Sequence, residues 1–297
     1  MTRAQANLLL LLIAMIWGSA FVAQNRAMQH MGPMLFTGVR FFVGALVVLP
    51  LAWHEQRKLR AASQGLGRIE IAKIAGLGSL LMLGAAMQQI GIVHTTVTNA
   101  GFLTALYVPL VPVLGLLALR HVPHWSVWPG ALACLGGAFL LSGAHSLQIG
   151  LGDAWVMASA LPWAVHVLLV GLVADRMNAP FSVACGQFFA CALLATAWAL
   201  LSEDWQAAGV GAALGPILYT GVMSVGVAFT GQVVAQRYAH AADAAIILSA
   251  ETLFTALFGY LLMGDRLDGY GLAGCALILG SLIAVQLLPM IRWRRKA

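Results

Sequence analysis

Ten apolar stretches, each about as long as a bilayer is thick, occupy most of the sequence and restrict the folds open to it. A helix that crosses the ~30 Å hydrocarbon layer needs about 20 predominantly apolar residues. A membrane barrel instead shows short segments of alternating polarity, whereas these stretches are apolar on every side. We therefore predict an all-α integral membrane protein with ten transmembrane helices. The predicted spans are residues 6–24, 33–53, 71–93, 99–119, 125–143, 153–174, 181–201, 211–234, 244–263 and 269–289.

Composition agrees with this interpretation and leaves little of the chain outside the bilayer. The sequence is 61% hydrophobic and only 9% charged, whereas soluble domains carry about 25% charged residues. The four cysteines fall inside predicted spans and show no ligand-type pairing with histidines, so we expect buried structural thiols without disulfides. We expect no metal site and no cofactor. These cysteines are Cys134, Cys185, Cys191 and Cys275.

Basic residues gather on one side of the predicted bundle. With ten spans, both termini and the connections after even-numbered spans share a side. Thirteen of the 16 lysines and arginines fall on that side, two fall on the other, and Arg40 lies inside the second span. By the positive-inside rule we expect a multi-pass protein of the inner (plasma) membrane with both termini in the cytoplasm. A nucleic-acid partner is not expected, because the basic residues do not cluster with aromatic ones.

The sequence aligns weakly with itself at an offset of about 144–147 residues. "VRFFVGAL" from Val39 matches "GQFFACAL" from Gly186. We divide the chain into a first repeat, residues 1–146, and a second, residues 147–297. Each repeat contains five spans, so the second enters the membrane from the opposite face. Such inverted repeats are typical of transporters that work by alternating access, with a substrate site between the repeats near the midplane.

The segment "GYLLMGDRLDGYGLAGCALILGSLIAV" (259–285) resembles the end of an EamA domain of the drug/metabolite transporter superfamily. Residues 109–139 carry a looser copy, and "IWGSAFV" (16–22) and the "VRFF" around Arg40 resemble the first two helices of that family. The resemblance covers nearly the whole chain as two tandem units. It implies ten transmembrane helices and a transporter, often an exporter of amino acids or other small metabolites.

Prolines differ between the two repeats. Many relatives place a proline just after a glutamate in the middle of the ninth helix, but Thr252 follows Glu251 here. A kink in the ninth span is therefore left open. Pro109 and Pro112 predict a kink in the fourth span, because an internal proline removes a backbone hydrogen bond and clashes with the preceding turn.

Five polar or aromatic side chains near the midplane are the predicted substrate-binding residues. Tryptophan favours the membrane interface, so two tryptophans at matched midplane depths are unusual. Each tryptophan either lines a cavity or fills space between helices. The tyrosine either contacts substrate or forms a hydrogen bond between helices. The histidine binds substrate or a proton, or is a core residue bonded to a carbonyl. These residues are Trp17, Tyr107, Trp163, His166 and Glu251.

Glu251 stands in the middle of an oily run, "LSAETLFTALF" (248–258). A charged group at the midplane costs several kcal/mol, so it is expected to face the bundle interior or water. Two functional interpretations follow: Glu251 binds a substrate ammonium, or it carries a proton. The alternatives are a neutral carboxyl in a helix contact and a charge paired with Arg40.

Four further polar residues are candidates for a gate or for coupling, and form two matched pairs between the repeats. Arg40 matches Gln187, and Gln88 matches Gln232. The alternative is structural: the arginine belongs to a motif shared across the family, and the glutamines lie near helix ends, where polar packing is common.

The leading hypothesis is a secondary transporter, and by the resemblance an exporter, of small amphipathic metabolites such as amino acids. The partners are then a small-molecule substrate and the bilayer, with proton coupling or exchange, because no Walker motif is present to use ATP. The alternative is an intramembrane enzyme acting on a lipid or peptide. No nucleophile elbow appears, and the His54-Glu55 pair does not continue as a zinc-protease motif. A channel would need a filter or charged ring, which the sequence lacks.

Overall fold

Helices make up the regular structure of this chain. The computed structural model describes residues 1–62, 65–120, 122–141, 150–203, 207–264, 266 and 268–293. Every regular element in these ranges is a helix, which confirms the predicted all-α fold. Eight helical segments are long and apolar enough to cross a membrane, and two shorter apolar helices, Val127–Leu140 and Gly269–Val285, lie in the predicted fifth and tenth spans. The predicted boundary between the repeats, 146–147, lies outside the described residues.

The helices follow the predicted spans, with three spans divided into shorter segments. Val97–Leu119, Leu214–Ala235 and Ala241–Met263 each count as one span by length. In chain order the helices are α1 (Arg3–Ala27), α2 (Pro33–Ala61), α3 (Arg68–Ile92), α4 (Val97–Thr104), α5 (Tyr107–Leu119), α6 (Val127–Leu141), α7 (Leu151–Met177), α8 (Pro180–Ser202), α9 (Ala207–Ala212), α10 (Leu214–Tyr219), a π-helical segment (Thr220–Phe229), α11 (Thr230–Ala235), α12 (Ala241–Leu248), α13 (Ala250–Met263) and α14 (Gly269–Trp293).

The helix contacts follow an approximate two-fold arrangement. Helix α2 packs against its repeat mate α8, and α6 packs against its mate α14. The contact of α3 with α7 has its counterpart in the contact of the eighth span with α1. The contact of α3 with α8 likewise has its counterpart between the π-helical segment and α2. This pattern is that of two inverted repeats.

The fourth and ninth spans break at matched positions. The fourth is interrupted at Ala105 and Leu106, because Pro109 has no N–H to donate to the Ala105 carbonyl; Val108 N–H donates to that carbonyl instead, at 3.0 Å. The span is therefore interrupted next to Pro109, where the kink is predicted, and α5 continues through Pro112. The ninth span breaks at Ser249, the mate of Ala105, although it lacks proline. There the serine hydroxyl donates to the Ile246 carbonyl at 2.6 Å, a local bond that competes with regular helix.

The eighth span contains the ten-residue π-helical segment, which packs closely on α2. A Cβ added to Gly44 would lie 2.3 Å from a Val225 methyl carbon, and one added to Gly221 would lie 2.7 Å from Val43. Glycine at both positions therefore lets the two backbones approach, as small residues do between membrane helices. π-Helical turns inside α-helices are frequent at functional sites.

Polar contacts between helices are found at both ends of the bundle. At the end that carries the N-terminus, called the basic end here, Arg3 forms an ion pair with Asp243 at 2.5 Å. At the opposite end the Thr95 hydroxyl donates to Asp153 at 2.5 Å. The cysteines lie between these ends as free thiols: Cys134, Cys185 and Cys191 are buried, and Cys275 is half-buried. Burial thus agrees with the prediction for three of the four.

Candidate functional site

A central cavity lies between the two repeats, from the middle of the bundle toward the opposite end. It holds about 530 Å³ of empty space, including the part open to solvent. Seven of the nine residues proposed from the sequence line it: Trp17, Arg40, Gln88, Tyr107, Trp163, Gln232 and Glu251. Six residues that sequence reasoning did not propose complete the lining: Phe21, Gln24, Thr104, Val167, Ser224 and Phe229.

Glu251 and Tyr107 enter this cavity from the first turns of two half-helices. Each lies just after the break in its span, Glu251 on α13 and Tyr107 on α5. Discontinuous helices of this kind form the substrate and ion sites of many transporters. Glu251 is only 4% exposed, and its Oε1 has no hydrogen-bond partner among the described residues.

Arg40 supplies a positive group to the same cavity. Its guanidinium is buried, donates from Nη1 to Gln24 Oε1 at 2.5 Å, and has its central carbon 5.2 Å from the ring centroids of both Phe36 and Phe41. Its Nε has no hydrogen-bond partner in the part of the chain that the structure describes. Within the described part of the chain, Arg40 forms no ion pair with Glu251, the partner considered from the sequence. The cavity therefore contains a cation and an acid that do not neutralise each other directly.

Aromatic rings form one wall of the cavity around Phe229. The Phe229 ring lies between the two matched tryptophans, with centroid distances of 4.6 Å to Trp17 and 5.8 Å to Trp163, and it stacks on Trp163 at an interplanar angle of 15°. Trp17 Nε1–H donates to the Ser224 carbonyl of the π-helical segment at 3.2 Å. Trp163 Nε1–H has no acceptor within the described residues. The wall thus offers flat apolar faces and one free donor.

The two matched glutamines, Gln88 and Gln232, differ in their hydrogen bonds. Gln88 donates from Nε2 to the Thr104 hydroxyl at 2.8 Å. Gln232 lies at the corresponding place in the second repeat, but its Oε1 is buried and accepts no hydrogen bond from any described residue. An unsatisfied buried acceptor costs about 1–3 kcal/mol, so the two glutamines differ in how well their polar atoms are satisfied.

His166 and Gln187 lie behind the cavity wall and do not line it. His166 is fully buried, and its Nε2 is 2.9 Å from Gln187 Oε1. Its ring meets Trp163 and Phe229 edge-on, with centroids 6.2 and 6.5 Å away. The sequence spacing places His166 at the depth of Trp163, but the orientation of α7 turns it toward α8. This arrangement therefore gives His166 no direct contact with a substrate in the central cavity.

A second, larger cavity lies at the basic end, with about 1340 Å³ of empty space including its open part. Val167 lines both cavities. On α5 the central cavity ends at Tyr107 and the basic-end cavity begins at Val111, one helical turn further along. The Gln236 side-chain amide donates to the Val167 carbonyl at 2.8 Å and fixes this layer. We call this layer, formed by Val167 and Gln236, the septum.

The site offers hydrogen-bonding and charged groups rather than a metal-ligand set. Among the described residues, no group of three or more histidine, cysteine, aspartate or glutamate side chains is arranged to hold a metal ion. The available chemistry is reversible binding: a guanidinium, a carboxyl, an amide oxygen and an indole N–H around an aromatic wall.

Comparisons with known proteins place the chain among transporters. The profile of the EamA-like transporter family matches residues 4–143 and again residues 150–287. An uncharacterized transporter of Archaeoglobus fulgidus is 30% identical over 287 residues, covering 96% of this chain and 87% of that protein. The uncharacterized transporters YoaV and YwfM of Bacillus subtilis are each 23% identical, over 90% and 95% of this chain and 91% and 94% of their own lengths.

A solved crystal structure shares the fold. It covers 97% of this chain and 99% of its own, with a TM-score of 0.77 and 19% identity. Two family matches in tandem, together with eight described helices long and apolar enough to cross a membrane, describe a multi-pass membrane transporter. The chain belongs to the EamA-like transporter family, within the drug/metabolite transporter superfamily.

Proposed function

We propose that this protein is a secondary transporter that exports small zwitterionic, amphipathic metabolites such as amino acids. The observation that carries the proposal is the central cavity, where Arg40 and Glu251 lie buried without forming an ion pair with each other. Buried charges in proteins are paired or lie where a ligand or water completes them. A ligand with one acid and one ammonium group satisfies both.

The binding mode follows from the groups present. The substrate carboxylate accepts hydrogen bonds from the free donors of Arg40, which are suited to planar carboxylates. The ammonium interacts with Glu251 and the Gln232 amide oxygen, and the faces of Trp17 and Trp163 attract cations and apolar groups alike. Glu251 is also the group that carries a proton if transport is coupled to a proton gradient.

Alternating access follows from the inverted repeats. The central cavity and the basic-end cavity are separated by the septum, so moving the repeats against each other exposes the substrate to one side or the other. Conversion of the π-helical segment toward α-helix would rotate Phe229 and Ser224 relative to Trp17. With no nucleotide-binding motif in the sequence, the energy comes from a gradient or from exchange.

In this proposal the basic end faces the cytoplasm of a cell bounded by a plasma (inner) membrane. The predicted topology assigns thirteen of the 16 lysines and arginines to that side of the membrane, which supports this orientation. Cysteines introduced at His30 and at Lys58, both exposed, test it with an impermeant thiol reagent on intact cells. The cysteine at position 30 is expected to react, and the one at position 58 only after lysis; the reverse pattern contradicts the orientation.

The function is tested with purified protein in proteoliposomes. A thermal-shift screen of amino acids, amines and nucleosides first identifies a ligand, because a ligand of the native state raises the melting temperature. Saturable flux of that ligand is then compared for wild type, Glu251→Gln and Arg40→Gln. Both variants are expected to melt near wild type and lose transport, whereas the partly exposed control Glu70→Gln, which does not line the cavity, keeps it. Wild-type flux by Glu251→Gln from pH 5 to 8 would remove this residue from the mechanism.

A further inference from the structure

A groove distinct from the transport cavities runs along the outside of the bundle at the basic end. It lies between α2 and α3 of the first repeat and α8 of the second, and holds about 1230 Å³ of empty space including its open part. On α2 it is lined by residues that recur every three or four positions from Leu49 to Arg60, which is one continuous helix face. This face extends about 16 Å along the helix axis.

The groove changes from apolar to basic along its length. Its deep part is lined by Leu49, Ile74 and Phe189, and its outer part by Arg57 and Arg60. None of the described residues that line it is acidic. Such a gradient matches the two parts of a phospholipid, whose acyl chains lie in the hydrocarbon layer and whose phosphate lies at the interface.

The two arginines are available to an external anion. Neither forms an ion pair among the described residues. The neighbouring Glu55 is occupied elsewhere, because it accepts hydrogen bonds from the Phe181 N–H and from both the N–H and hydroxyl of Ser182. The Arg57 guanidinium instead lies over the Trp53 ring, with its central carbon 5.2 Å from the ring centroid.

Trp53 marks the depth of the membrane interface in this groove. It is 59% exposed on the outside of the bundle, and tryptophan is enriched where lipid headgroups meet the hydrocarbon layer. Arg57 lies one turn beyond it toward the basic end, which is the level of lipid phosphates. The deeper residues then lie at the level of the acyl chains.

We propose that this groove is a binding site for an anionic phospholipid of the leaflet at the basic end. The phosphate lies between Arg57 and Arg60, and an acyl chain runs past Ile74 and Phe189. Because the groove joins helices of both repeats, the bound lipid stabilises the contact between α2, α3 and α8. A basic pocket between transmembrane helices is the setting in which anionic headgroups are recognised.

A second groove on the other side of α3 supports the choice of this one. It is lined by Lys73 and Arg176 but also by the acidic Glu70, so its rim carries charges of both signs. The groove with Arg57 and Arg60 carries positive charge alone. Charge complementarity therefore assigns the anionic lipid to it.

The test uses full-length protein, delipidated in neutral detergent, to which phosphatidylglycerol or phosphatidylcholine with identical chains is added. Native mass spectrometry counts retained lipids, and thermal unfolding reports stabilisation. Each arginine near a membrane surface contributes about 1 kcal/mol toward anionic lipid, so two predict roughly a 10- to 30-fold preference for phosphatidylglycerol. Arg57→Gln with Arg60→Gln is expected to reduce that preference to about one, while melting in phosphatidylcholine stays at the wild-type value.

A matched control separates this site from general surface charge. Lys58→Gln with Arg68→Gln removes the same two charges at the same end, but neither residue lines the groove; the lipid preference is expected to remain. Ala75→Phe fills the apolar part of the groove and is expected to reduce retention without changing net charge. Equal loss in the control pair, or equal stabilisation by inorganic phosphate or phosphatidylcholine, would overturn the proposal.

Discussion

Glu55 and Glu203 hold opposite ends of the same helix pair. Glu55, near the end of α2, accepts hydrogen bonds from the backbone N–H groups of Phe181 and Ser182 at the start of α8, at 3.3 and 2.7 Å. Glu203, just after α8, accepts from the N–H groups of Met34 and Leu35 at the start of α2, at 2.7 and 2.9 Å. The N–H groups that they bind are repeat mates at an offset of 147 residues, and Glu203 lies one position past the mate of Glu55, so a similar interaction appears twice, inverted.

Removal of either glutamate is expected to destabilise the protein. The first N–H groups of a helix have no hydrogen-bond partner within that helix. A carboxylate placed there accepts these bonds and also interacts favourably with the positive end of the helix dipole. Glu55→Ala and Glu203→Ala are each expected to cost about 1–3 kcal/mol of unfolding free energy. The sites lie about 30 Å apart along the helices, so their costs are expected to add.

Denaturant unfolding in detergent measures these costs. Glu70→Ala is the control, because Glu70 is partly exposed and accepts a hydrogen bond from the Gly67 N–H at the start of its own helix, rather than from a second helix; a smaller loss is expected. A double variant no less stable than either single variant would contradict independent caps at the two ends.

Phe229 is expected to hold the aromatic wall together. Its ring contacts Trp17, Trp163, Phe41 and Phe188. Phe229→Ala removes these contacts and leaves a cavity, which is expected to lower the free energy of unfolding by about 3–5 kcal/mol. Phe42→Ala is the control, since that ring is 49% exposed on the outside of the bundle. Equal melting temperatures for the two variants would argue against a central role for Phe229.

The sequence predicted the spans because membrane helices must satisfy their own backbone groups and need long apolar runs. It also predicted the break near Pro109, since proline acts locally. The break at Ser249 was not predicted. It depends on the Ser249 hydroxyl, which donates a hydrogen bond to the Ile246 carbonyl. Whether a serine in a helix forms such a bond depends on its tertiary surroundings, which the sequence alone does not show.

The candidate site was predictable where a side chain is costly in lipid. Arg40 and Glu251 are conspicuous in an apolar chain because charge at membrane depth needs a reason. Phe229 gave no such signal: it is apolar among apolar residues, and its repeat mate is Ala85. The π-helical segment that positions Phe229 has no sequence signature of its own. His166 shows a further limit, because spacing gives depth but not the final rotation of a helix against its neighbours.

Gly84 is expected to set the space available to substrate. A Cβ at this position would lie 3.1 Å from two ring atoms of Trp163, so Gly84→Ala pushes the indole toward the cavity. Because the cavity gives the ring room to move, stability changes little, while ligand binding weakens by roughly three- to tenfold. Gly76→Ala on the same helix is the control, since its Cβ meets nothing within 4 Å. Titration calorimetry checks both, and equal affinities would contradict the expectation.

Val167 is expected to govern passage between the two cavities, because it lines both of them. Val167→Phe adds a ring to the septum, and such overpacking costs about 1–3 kcal/mol when the layer must rearrange. Flux in proteoliposomes is therefore expected to fall by roughly 5- to 150-fold. Ligand affinity is expected to change much less, because Arg40 and Glu251 are untouched. Leu161→Phe on the same helix is the matched control, since Leu161 is 54% exposed on the outside of the bundle. If Val167→Phe transports at the control's rate, the substrate does not pass this residue.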